Sequence, residues 1–196
     1  MYRKRTGKSY SQRRPVQARI PFPGSAPGPS GSVNALMTHL QSLKQSYGGV
    51  RLAILANQAT GLLNYRVRAT TREGFEEMLD AIRAISVNEF YGPKVAMTLK
   101  DLAEEGLIAS VEFGAEGTPV IYISPPFWKH QSILGATGKN RKYTEAERRE
   151  MLKRIIEGMK DAEPDELFVV DMLENPVDPD DPSRDPSLMR VRAWWD

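Results

Sequence analysis

The stretch "PKVAMTLKDLAEEGLIASVEFGAEGTPVIYIS", residues 93–124, constrains the fold more than any other part of the chain. Pro93 suits the first turn of a helix, where a missing N–H costs no hydrogen bond. Val95, Leu99 and Leu102 recur at helical spacing and mark the side that packs inward. Gly106 permits the left-handed turn that closes the helix. "ASVEF" and "PVIYIS" then flank "GAEGT" and predict a β-hairpin, ended by Pro125 and Pro126. A helix running straight into a hairpin gives an α+β fold.

The elements upstream follow the same reading. Ser32 caps a first helix in which Val33, Leu36, Met37, Leu40, Leu43 and Tyr47 keep helical spacing, stopped by Gly48 and Gly49. Residues 50–61 fit a short strand or a helix ended by Gly61; Ala53, Leu55 and Ala56 favour the helix. Residues 62–69 alternate and are rich in β-formers, which predicts a strand. Thr70 and Glu73 match a capping box, and Phe75, Met78, Leu79, Ile82 and Ile85 form the apolar stripe of the helix that follows.

Downstream, residues 129–143 read as a basic loop exposing Lys129, Lys139, Arg141 and Lys142. Thr144 and Glu147 make a second capping box, ahead of an amphipathic helix carrying Met151, Leu152, Ile155, Ile156 and Met159. "ELFVVDML", residues 166–173, predicts a strand. "ENPVDPDDPSRDPS" then reads as extended and largely unstructured. The resulting organisation is a disordered basic arm and linker over 1–32, a core over 33–130, a loop, helix and strand over 131–173, and an acidic Pro-rich tail over 174–196. The linker "PFPGSAPGPSGS" has too little apolar area to offset its ordering entropy.

Charge is strongly segregated under a net value of +2. Residues 1–32 carry +7 from Arg3, Lys4, Arg5, Lys8, Arg13, Arg14 and Arg19, with no acid. Residues 161–185 carry −9. A basic arm of this kind fits a polyanionic partner. With no cysteine, disulfides, thiolate zinc sites and cysteine nucleophiles are excluded. No apolar run approaches the roughly 20 residues needed to span a bilayer, and the basic N-terminus lacks the apolar segment of a secretory signal. A soluble, cytoplasmic protein with no membrane partner is expected.

Catalytic chemistry finds little support. His39 and His130 are the two histidines and neither sits in a ligand-spaced cluster, so no metal or cofactor is expected. "GATGKN", residues 135–140, departs from a phosphate loop at Ile133 and Asn140, where glycine and a hydroxyl residue are required. It reads as a flexible basic loop. Asp178, Asp180, Asp181 and Asp185 lack the glycine turn and terminal Glu of a calcium loop. An enzyme is not expected.

The element order of helix, strand, capped helix, Pro-started helix and hairpin is that of a winged helix-turn-helix. "PKVAMTLKDLAEEGLI" resembles the recognition-helix pattern of that superfamily, and "VIYISPPFWKH" and "LAILANQATGLLNYRVRATTREGFEEML" resemble segments of winged-helix plasmid and phage replication initiators. The resemblance covers roughly residues 33–130. It implies a DNA-binding protein of initiator or transcriptional-regulator type, with the helix from Pro93 in the major groove presenting Lys94, Met97, Thr98 and Asp101, and Lys100 near the edge. Arg66, Arg68 and Arg72, the arm, and Lys139, Arg141 and Lys142 would hold phosphate. Two features depart from the pattern: "SVNEFYG", residues 86–92, is longer than the usual turn, and Glu116 stands at the wing tip where an arginine often enters the minor groove.

DNA is therefore the expected partner, with RNA as the other polyanion the arm could hold, and a homodimer is compatible with the reading. Trp194 and Trp195 in "RVRAWWD" either dock a protein partner or fold back and complete the core. The rival function is a winged-helix interaction subunit of a larger nucleoprotein assembly, with the arm holding RNA or DNA nonspecifically.

Overall fold

The computed structural model describes residues 49–135 and 140–196, which form four helices and seven strands. The expected first helix, His39, the basic arm and Lys139 lie outside the described residues. The order is α1 (Val50–Ala59), β1 (Asn64–Ala69), α2 (Arg72–Arg83), β2 (Ser86–Val87), β3 (Phe90–Tyr91), α3 (Gly92–Glu104), β4 (Ser110–Glu116), β5 (Thr118–Ser124), α4 (Glu145–Met159), β6 (Glu166–Val170) and β7 (Arg190–Trp194). The fold is α+β.

One five-stranded sheet runs in the order β1-β4-β5-β7-β6, with every pairing antiparallel. Strand alternation gives it two unlike faces. Val67, Ala69, Val111, Phe113, Ile121, Ile123, Val191 and Ala193 point into the core, where they meet the buried stripes of the helices. The residues between them point the other way, among them Arg66, Arg68, Glu112, Tyr122 and Arg192. The helices thus form a single layer on one face. Strands from both sides of residue 130 share the sheet.

The helical stripes follow the sequence. Phe75, Met78, Leu79, Ile82 and Ile85 are buried, as are Val95, Leu99 and Leu102. Gly61 and Gly106 adopt positive φ, 63° and 75°, where the helices α1 and α3 end. The capping box at α4 is present: Thr144 Oγ1 accepts from Glu147 N at 3.2 Å, and Thr144 N donates to Glu147 at 2.9 Å. At α2 the cap is Thr71, not Thr70, and its hydroxyl accepts from Gly74 N at 3.2 Å. No box forms there, because Gly74 occupies the position that a carboxylate would need.

Two expectations are corrected, and the long connection before α3 gains a structure of its own. The predicted turn "GAEGT" is mostly strand: β4 continues through Glu116, β5 starts at Thr118, and Gly117 alone makes the reversal at φ 82°. The long connection 86–91 is itself a small hairpin, β2 paired with β3. The acidic segment is a strap of side-chain turns rather than loose chain. Asp171, Asp178, Asp181 and Asp185 each accept a backbone N–H two residues on, at 2.8 Å. Val177 N donates to Val169 O at 2.9 Å, and Lys153 pairs with Asp180 at 2.7 Å, which fastens the strap to β6 and α4.

The end of the chain is also built in. β7 lies between β5 and β6, and Trp195 is fully buried beyond it. Its ring meets Phe90 edge-on at 4.9 Å, and its Nε1 donates to Ala162 O at 3.1 Å. Of the two readings of the tryptophan pair, Trp195 therefore takes the core. Trp194 lies on the other face of the sheet, beside Val120, Tyr122 and Phe168.

Candidate functional site

The face of the sheet away from the helices carries a dense ionic network. Tyr122 is its centre, with Arg190 4.1 Å and Arg66 4.4 Å from its ring centroid. Glu174, on the turn after β6 and at φ 66°, reaches over this face. It accepts from Arg66 at 2.5 and 2.9 Å, from Arg190 at 3.1 Å and from the Tyr122 hydroxyl at 3.0 Å. Glu116 accepts from Arg66, from Tyr122 and from Arg192. Arg192 also pairs with Glu166 at 2.6 Å.

The titration of these groups follows from their contacts. The Arg66 hydrogen bonds, outweighing partial burial, hold the Glu174 carboxyl down at about 2. Burial alone would raise Glu116, but hydrogen bonds from Tyr122, Arg66 and Arg192 outweigh it and lower the group. Burial, reinforced by the acceptor Glu116, pushes the Tyr122 hydroxyl up to about 12. The network is closed on itself, so it contributes structure and little outward field.

At one end of this face the sheet opens into a cleft of about 600 Å³, between β4, β5, β7 and the segment 125–132. Arg68, Arg148 and Arg190 line it, against one carboxylate, Glu112. Arg68 extends from β1, donates to Ser110 Oγ at 3.1 Å and lies 3.6 Å from Glu112. Arg190 donates to Glu112 at 3.1 Å. Arg148, buried in the second turn of α4, donates to two backbone carbonyls, Pro126 O at 2.7 Å and Pro186 O at 3.1 Å. No carboxylate is bonded to it, and burial lowers its pKa, opposed by the field of Asp185. His130 stands at the rim with Nδ1 2.7 Å from Asn140 Oδ1.

Comparison with protein-family models, curated proteins and solved structures finds no match. The site is therefore read from its own geometry.

The residues singled out from sequence do not converge on one surface. Arg66 and Arg68 belong to the open sheet face, whereas α3 belongs to the helical layer behind it. Thr98, expected to point outward, is buried at 7% exposure, because position 98 falls between the core positions Val95 and Leu102. Lys94 pairs with Glu163 at 2.9 Å. Met97 is exposed, and Lys100 lies 3.6 Å from Glu104. The exposed stripe of α3 is thus Pro93, Met97, Lys100, Asp101 and Glu104, with more acid than base. Arg72 and Lys100 do share a groove between α2 and α3, but Arg72 pairs with Glu76 at 2.9 Å. Arg141 is held by both oxygens of Glu147, and Lys142 Nζ sits 4.3 Å from the Phe127 ring centroid.

The cleft was not legible in the sequence. Its arginines stand at 68, 148 and 190, and only the insertion of β7 beside β5 brings the last of them to the others. The single available signal was the alternation in "RVRAWW", with Val191, Ala193 and Trp195 at every second position.

Proposed function

We propose that this chain is a nucleic-acid-binding protein that grips phosphate nonspecifically through its basic N-terminal arm, while the folded body serves as an interaction module of a nucleoprotein assembly. One observation carries the reading. All 25 acidic residues lie beyond residue 48, against 19 Lys and Arg there, whereas the first 48 residues hold eight Lys and Arg and no acid. The body is net acidic, and most of the arginines of its sheet face and helices are tied into ion pairs. The excess positive charge sits in the arm, whose run of Lys and Arg without acid suits a phosphate backbone.

A second reading has α3 in a major groove, as in a winged helix-turn-helix regulator or replication initiator. The order α1-β1-α2-α3-β4-β5 and the exposure of Met97 and Lys100 favour it. The acids on the α3 stripe and the placement of Arg66 and Arg68 behind the sheet weigh against it.

Fluorescence anisotropy with a random 20-base-pair duplex over a salt series separates the two. If the arm neutralises about six phosphates, log K falls against log salt with a slope of about −5. Deleting residues 1–20 abolishes binding under the first reading. Under the second, weaker and sequence-dependent binding survives the deletion, and M97A/K100A removes the preference. Unchanged affinity after the deletion rejects the first reading.

A further inference from the structure

Orphaned polar atoms cluster in one place. Among the described residues, four buried side-chain nitrogen or oxygen atoms lack any hydrogen-bond partner: Thr118 Oγ1, Ser132 Oγ, Arg148 Nε and Arg190 Nε. Three of the four belong to residues lining the cleft at the end of the sheet. Those three residues are also at least nine-tenths buried, with exposures of 9%, 4% and 8%. A buried donor without an acceptor is costly, and a buried guanidinium without a counter-charge more so. They mark a lining whose hydrogen-bonding capacity and positive charge are incompletely met from within the protein.

The chemistry of the lining selects the ligand. Three guanidinium groups line the cleft against one carboxylate, Glu112; Arg190 is also met by Glu174 at 3.1 Å, so the excess positive charge rests on Arg68 and Arg148. Glu112 is shared between Arg68 and Arg190, and Arg148 bonds only to carbonyls. Guanidinium forks match the tetrahedral oxygens of a phosphate, and a phosphate monoester brings the dianion that this excess requires. Ser110, Ser124 and Ser132 add hydroxyls that can donate to the remaining oxygens. Phe127, Leu188 and Met189 supply an apolar wall for whatever the phosphate is attached to. At about 600 Å³ the cleft has room for more than the anion alone.

We propose that this cleft is a binding site for a phosphate monoester, carried either by a free nucleotide or by the phosphorylated end of a nucleic-acid strand. The site belongs to the folded body and is independent of the arm. Its occupancy and the duplex binding of the arm are separate properties.

Isothermal titration of the full chain in phosphate-free buffer tests this with four probes: inorganic phosphate, AMP, and a thymidine hexanucleotide with or without a 5′-phosphate. Saturable binding of phosphate and AMP is expected, weakened about tenfold in R68Q and several-fold in S132A, while affinity for random duplex stays unchanged in both variants. The Arg68 side chain is 57% exposed and the Ser132 hydroxyl makes no hydrogen bond, so both variants are expected to fold. If strand ends are the source, the 5′-phosphorylated hexanucleotide binds more tightly than the hydroxyl form and R68Q erases the difference. If nucleotides are the source, the two hexanucleotides bind equally and neither responds to R68Q, whereas AMP and inorganic phosphate do. No saturable binding of any phosphate-bearing probe, or binding indifferent to both substitutions, overturns the proposal. Either result leaves the arm reading standing, since that reading is judged by deletion of residues 1–20.

Discussion

The guanidinium of Arg66 donates to both carboxylate oxygens of Glu174, at 2.5 and 2.9 Å, across 108 positions of sequence. This pair ties the edge strand β1 to the turn that follows β6 at the opposite edge of the same sheet. It spans the whole open face, with Tyr122 beneath it. An arginine that reads as a phosphate contact in isolation is here a clasp, and the acid that completes it lies in the segment that looks loosest in composition.

The clasp predicts an acid-sensitive contribution to stability. Glu174 is held at about 2 in the fold, below the usual carboxylate value of about 4.3. A depressed carboxylate stabilises the fold above its unfolded pKa and loses that contribution as pH falls through the folded value. The Glu174 side chain is 36% exposed, so solvent screening reduces the effect to about 1 kcal/mol. Urea denaturation of E174Q should show that deficit at pH 7. The gap to the unaltered protein should close between about pH 4.5 and pH 2. A gap constant across that range would mean that the charge on Glu174 contributes nothing.

The buried end of the chain predicts a large effect from one substitution and a small one from its neighbour. Trp195 fills the core against Phe90, so Trp195→Ala leaves a cavity and an unpaired Ala162 carbonyl. A loss of about 3–5 kcal/mol is expected. Trp194 stands on the other face, only partly buried, and Trp194→Ala should cost clearly less. Chemical denaturation of the two variants measures the ranking. Equal losses would place both rings in comparable environments.

How far the sequence specifies this molecule depends on the range over which a signal acts. The stripes of α2, α3 and α4 were legible because 3.6-residue periodicity is local, and Thr144-Glu147 because a capping box spans four residues. The end of the hairpin was misplaced because glycine at 114 suggests a turn. In the fold, Gly114 lies where β1 crosses, with the Tyr65 carbonyl 1.9 Å from where a Cβ would stand. β7 was missed because its outward side chains, Arg190 and Arg192, resemble an exposed tail until the acids of the sheet face are placed opposite them. The cleft was beyond reach for the same reason: nothing in the sequence pairs position 68 with 148 or 190.

Local capping carries its own test. Thr144 begins α4, which presents Met151, Leu152, Ile155 and Met159 to the core and Arg148 to the cleft. Thr144→Ala removes the acceptor for Glu147 N and should cost about 1 kcal/mol, read as a lower midpoint in urea with an unchanged slope. Hydrogen exchange should rise first in the opening turn of α4. Uniform protection would show that Arg141, which grips Glu147, holds the turn without the cap.

The connection between α2 and α3 supplies the sharpest steric prediction. Gly92 N donates to Ile85 O at 3.0 Å, closing the small hairpin of β2 and β3 onto the end of α2. A Cβ at position 92 would lie 1.9 Å from the Ile82 carbonyl oxygen and 2.4 Å from that of Ile85. Both obstacles are backbone, so neither can rotate away, and α2 and α3 would have to separate. Gly92→Ala should therefore cost about 2–3 kcal/mol, the upper range for overpacking a close contact, despite the better helix propensity of alanine. Because α2 and α3 both contribute their buried stripes to the one core, the loss should appear in the global denaturation midpoint. A neutral or stabilising Gly92→Ala would mean that the two helices do not approach this closely.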